Sequence, residues 1–187
     1  MSFNILEGVR QSLNYPSLQK IDPNTQEVPK NKRSETTDKF GQAAIPAVLT
    51  GLYRFVQSDE GAEEVLAPGK TVNWVEKIFH EHKKEVIERI AVYASVPQRV
   101  AARGMNVIAK ESIKLVKERL HNATPMEVKQ FFHTQINTIL AYLPAELHTG
   151  EWLHYSALDD NINKMKGPIS SLVQEIGAAF SNPASGK

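Results

Sequence analysis

Residues 40–57 constrain the fold more than any other stretch of the chain. They read Phe40-Gly41-Gln42-Ala43-Ala44-Ile45-Pro46-Ala47-Val48-Leu49-Thr50-Gly51-Leu52-Tyr53-Arg54-Phe55-Val56-Gln57. Apolar side chains fall on every side of a helix drawn through them. A helix without a polar face is stable only when neighbours enclose it, so this segment belongs at the centre. Pro46 removes one backbone donor, and the reading is one kinked helix rather than two. Gly41 and Gly51 are small enough to let neighbouring helices approach closely.

The flanking segments repeat the helical spacing. Phe3, Ile5, Leu6, Val9 and Leu13 share one face, with Ser2 as the expected N-cap and Tyr15-Pro16 as the stop. Ser17 to Ile21 has room for one further turn. Ser58 followed by Asp59 and Glu60 is a favourable helix start, and that helix runs to Leu66 before a turn at Ala67-Pro68-Gly69-Lys70. Thr71 is expected to cap a helix through Trp74, Val75, Ile78 and Phe79. Another carries Val86, Ile87, Ile90, Ala91 and Ala94. Ser95 is expected to cap the longest helix, from Val96 to about His121, with Pro97 in its first turn. Thr124-Pro125-Met126-Glu127 is a capping box, and the helix it opens buries Val128, Phe131, Phe132, Ile136, Ile139, Leu140 and Leu143 before Pro144 ends it. Trp152 to Met165 and Ile169 to Phe180 suggest two more. No β-type alternation runs longer than four residues. The fold class is therefore all-α, a multihelical array of about eight to ten helices with one kinked central helix.

Residues 22–39 differ in kind. Val28 is their only aliphatic residue, so they cannot bury a face and read as a polar mobile loop with a helix start at its end. The expected organisation is a single helical domain over residues 1–180, with a subdivision near residue 122 left open. A disordered tail is expected over residues 181–187. The chain has no cysteine, which excludes disulfides, thiolate catalysis and cysteine-held metals. With Lys+Arg at 22 and Asp+Glu at 21 the net charge is +1, so no global field gathers nucleic acid, although a local patch can. Neither a signal-type N-terminus nor a membrane-length apolar run is present, and the expected location is cytoplasmic.

Residues 40–66 carry a resemblance. An apolar helix with the Ile45-Pro46-Ala47-Val48-Leu49 centre is followed by the acidic turn Glu60-Gly61-Ala62. This resembles the YidB-like family, a bacterial group of helical proteins with a domain of unknown function. The order of the next elements, Trp74 to Phe79, Val86 to Ser95 and the long helix after Val96-Pro97, is similar. The resemblance covers residues 1–120 and departs from the family in having fewer glycines and the polar loop at 22–39. It implies packed helices, a bacterial origin and no established activity, and it carries no catalytic residue over.

One local constellation stands out. On the helix after Val96, the residues Arg99, Arg103, Lys110, Lys114 and Lys117 fall within an arc of about 60° at roughly 100° per residue. Ile108, Ala109, Ser112, Leu115 and Val116 lie opposite. Such a stripe suits phosphates or an acidic protein surface, and it equally suits a solvated helix face. No aromatic residue interleaves it, which argues against single-strand binding by base stacking. Metal binding has little support. His80 and His82 point about 200° apart on a helix, and Glu151 with His154 is only half of a di-iron motif. There is no Gly-x-Ser-x-Gly and no phosphate loop, and Asp159-Asp160 diverge as sequence neighbours. No catalytic residue, cofactor or metal is expected. The first expectation is a non-enzymatic domain for protein interaction or scaffolding, with a protein partner or a homo-oligomer. The alternative is binding of an anionic surface, nucleic acid or acidic lipid, through the basic stripe. A small-molecule pocket among Trp74, Phe79, Trp152 or Tyr155 ranks last.

Overall fold

The computed structural model describes residues 3–21, 38–67 and 73–147. All their regular structure is helical: seven α-helices and two short 3-10 turns among the described residues, with no strand. They are α1 (Ile5–Ser12), α2 (Lys39–Phe55), α3 (Asp59–Leu66), α4 (Trp74–Phe79), α5 (Lys83–Ala94), α6 (Gln98–Arg119) and α7 (Pro125–Leu140). The 3-10 turns are His80–His82 and Ala145–Leu147. The helices read from Trp152 onward and the tail lie outside the described residues, as does the loop up to residue 37.

The capping chemistry explains most boundaries. Ser58 Oγ accepts the Gly61 N–H at 3.0 Å and starts α3. Thr124 and Glu127 form the expected capping box: the Glu127 carboxylate accepts from Thr124 N at 2.7 Å and from Thr124 Oγ1 at 2.9 Å. Other starts differ from the sequence reading. Asn4 caps α1, its Oδ1 accepting from Leu6 N at 3.0 Å. The α4 cap is Asn73 rather than Thr71, and α4 begins at Trp74. Ser95 caps nothing. It ends α5 in the left-handed region at φ 56°, and α6 opens on Pro97 without a side-chain cap. A backbone that must turn sharply between α5 and α6 uses Ser95 as the corner, so its hydroxyl has no helix to start. Helix α7 stops at Leu140, before Pro144. Residues 17–21 make no helical turn. Their backbone is tied sideways instead, with Ile21 N donating to Ala141 O at 2.9 Å.

Helix α2 is the centre, as its composition requires. Residues 41–53 are buried without a break, and α1, α4, α5, α6 and α7 all pack on it. It is one helix with Pro46 inside. Close approach depends on Gly51, where a Cβ would lie 2.6 Å from Ile78 Cγ2 and 2.8 Å from the Phe79 ring. Two polar side chains are buried in this apolar helix. Thr50 Oγ1 donates to Pro46 O at 2.7 Å. Gln42 clasps two other segments: its Oε1 accepts from Gln19 N at 2.8 Å, and its Nε2 donates to Gln19 O at 3.0 Å and to Tyr142 O at 2.9 Å. Helix α7 packs on α2 and α3. Its Phe131–Phe132 pair is accommodated internally. Phe132 is fully buried, and Phe131 stacks on Phe3 with ring centroids 6.2 Å apart.

Candidate functional site: a cationic groove beside the longest helix

The candidate site begins with a backbone contact. Asn106, midway along α6, accepts the Trp74 N–H through Oδ1 at 2.9 Å. This bond seats the first turn of α4 against α6. Asn73 immediately before it uses its own Oδ1 to accept the Glu76 N–H at 3.4 Å. Helix α5 then returns along the other side. The three helices leave an open groove of about 550 Å³ between them.

Its lining has three parts. Val75, Ile87 and Ala102 make an apolar floor. Asn73 and Asn106 present amides whose oxygens are already engaged with backbone donors, so their N–H₂ groups are the uncharged donors of the groove. Arg99, Arg103 and Lys110 from α6 and Lys83 from α5 supply cations.

The basic stripe of the sequence reading is therefore divided by the fold. Lys114 is in the company of acids: Nζ lies 3.1 Å from a Glu111 oxygen and 4.0 Å from Glu118. The Glu111 hydrogen bond, with the nearby Glu111 and Glu118 charges, holds its ammonium above the usual lysine value. Lys117 Nζ donates to the Ala67 carbonyl, capping the end of the α3 segment. Arg99, Arg103 and Lys110 are exposed, and among the described residues none of them has an ion-pair partner. Lys83 is paired with Glu76. The free positive charge of the stripe is thus concentrated at three of its five positions, and those three share one groove.

The opposite side of the cation row is also apolar. Val100 and Val107, one heptad apart on α6, are 49 % and 50 % exposed. Exposed valines beside unpaired guanidinium groups make a mixed surface that suits a partner with both acidic and apolar groups.

The other sequence candidates are placed differently. Trp74 and Phe79 are core residues, Trp74 meeting Phe55 edge-on with ring centroids 6.3 Å apart. His82 lies 3.6 Å from Glu81 and 3.8 Å from Glu85, on the 3-10 turn before α5. No group of three or more potential metal ligands comes together among the described residues. Trp152, His154, Tyr155 and Asp159-Asp160 lie outside the described residues. Sequence reasoning missed Lys83, Asn73 and Asn106. No local pattern marks them, because only the packing of α4 and α5 on α6 brings them to the groove.

A second concavity lies on the far face of α5, lined by Glu85, Glu88, Arg89, Val92, Tyr93 and Glu146. Arg89 bridges it, binding Glu85 at 2.6 Å and the Leu147 carbonyl at 3.3 Å. Burial, with a contribution from the Glu146 charge, pushes the Tyr93 phenol up to about 12. The only cation lining this concavity among the described residues, Arg89, is already paired with Glu85.

No helix of the described residues is long and apolar enough to cross a membrane. The chain matches no family model, no curated protein and no solved structure.

Proposed function

We propose that this protein is a non-enzymatic helical binding domain and that the α4–α5–α6 groove is its working surface, taking an anionic partner. One observation carries the reading: Arg99, Arg103 and Lys110 line a single groove without an ion-pair partner among the described residues, while Lys83, Lys114 and Lys117 are engaged. Unpaired cations facing one concavity gain most from a ligand that brings the missing charge. The YidB-like likeness of residues 1–120 carries no established activity, so the reading rests on the groove.

Fluorescently labelled poly-L-glutamate is the simplest probe. It is expected to bind at roughly 50 mM salt and to weaken steeply as salt rises. The triple variant Arg99→Gln, Arg103→Gln, Lys110→Gln is expected to lose binding, and the control Lys114→Gln, Lys117→Gln to keep it. Equal loss in both variants would show that diffuse charge, not the groove, is responsible. Absence of binding by the unmodified protein at low salt would remove the reading.

A further inference from the structure

We infer that the partner at this groove is an acidic amphipathic helix. The inference rests on the anion-binding reading above and narrows it to one kind of ligand. Three observations converge on it.

The first is spacing. Arg99, Arg103 and Lys110 stand at offsets of four and seven residues along α6. At roughly 1.5 Å per residue they lie about 6 and then about 10 Å apart along the axis. A second helix lying alongside repeats its own side chains at the same offsets, so carboxylates spaced by four and seven residues meet all three cations. An extended chain presents same-side residues at intervals of about 6.6 Å and falls out of step at the third cation.

The second is the floor. Val75, Ile87 and Ala102 are apolar, and Ala102 is small enough to admit a neighbouring helix closely. A phosphate backbone has nothing to bury there. The apolar edge of an amphipathic helix does, and Val100 and Val107 give it a second contact line one heptad long. The third is shape. The cations of the site lie along a concavity between helices, which a flat bilayer surface cannot enter, while a helix can lie in it lengthwise.

The test uses the full chain and three probes at roughly 50 mM salt. One is a synthetic peptide of about 18 residues, long enough to hold helical structure, with glutamates at the matching offsets and a Leu/Ala stripe. The others are its scrambled isomer and a short DNA duplex. The ordered peptide is expected to bind about tenfold or more tighter than the scrambled one and to gain helical circular dichroism on binding. Floor variants Ala102→Trp and Ile87→Arg, each checked for an unchanged helical spectrum, are expected to weaken the ordered peptide about tenfold and to remove its advantage over the scrambled isomer. Equal affinity for the two peptides would overturn the helix inference and leave the anion reading standing. Binding of the duplex alone would do the same. Failure of all three probes and of poly-L-glutamate would overturn both.

Discussion

Gln42 is the residue whose replacement tests the architecture most directly. It is 1 % exposed in the middle of an apolar helix, and it makes three hydrogen bonds to backbone groups of two other segments. Gln42→Leu keeps the volume and removes every polar atom. It strands Gln19 N, Gln19 O and Tyr142 O, three backbone groups that no other side chain among the described residues reaches. A lost hydrogen bond costs about 1 kcal/mol, and a buried group left without a partner costs about 1–3 kcal/mol. Gln19 and Tyr142 are half-buried, so water can recover part of that loss. Leu also escapes the desolvation cost that a buried amide carries, which offsets part of the loss. The net expectation is destabilisation of about 2–4 kcal/mol. Urea unfolding followed by circular dichroism should show a lower midpoint with an unchanged slope. Native-state amide exchange should show residues 15–21 opening before the α2 core. A loss below about 1 kcal/mol, or a uniform rise in exchange, would refute the argument that this amide fastens the N-terminal segment to the turn after α7 through α2.

Three further outcomes follow from the packing and the caps. Gly51→Ala places a methyl group 2.6 Å from Ile78 Cγ2. Overpacking of about 1–3 kcal/mol exceeds the helix-propensity gain of at most about 1 kcal/mol, so thermal melting should fall. The Tyr93 phenol, held at about 12 against an ordinary 10.0, binds its proton more tightly folded than unfolded. Stability should therefore be intact below pH 10 and decline as pH rises toward 12, and Tyr93→Phe should remove that share of the alkaline decline in a melting series. The Glu127 carboxyl is held below the usual range by its bond from the Thr124 backbone and then by the Thr124 hydroxyl. Thr124→Ala should move it upward in a carbon-detected NMR titration while leaving part of the depression, because the backbone donor stays.

How much of this was legible depended on the range of the interaction. Helix identity and the central place of α2 followed from composition within a single segment. Ser58 and the Thr124–Glu127 box were readable because their hydrogen bonds close within three residues. Ser95 was misread because a serine two residues before a proline serves equally as a corner, and only the packing of α5 against α6 decides. The division of the basic stripe was half legible. No acid stands three or four residues from Arg99, Arg103 or Lys110, whereas Lys114 has Glu111 and Glu118 at those offsets. The capture of Lys117 by Ala67, and the arrival of Lys83 and Asn73 at the groove, are contacts across tens of residues. Nothing periodic announces them.

The small net charge sets how a partner must reach the groove. With a total of +1, the remainder of the molecule adds little to the field of three unpaired cations. At physiological ionic strength that field fades over about 8 Å. Long-range steering is therefore weak, and a ligand with charge alone gains only what it finds after arrival. Durable binding has to come from fit along the groove, where the apolar floor and the amides of Asn73 and Asn106 lie beside the cations. Neutralising one cation should then change the dissociation rate more than the association rate, the opposite of what a broad basic face produces. Stopped-flow measurement with Arg103→Gln distinguishes the two. A fall confined to the association rate would place recognition in the diffuse field and not in the groove.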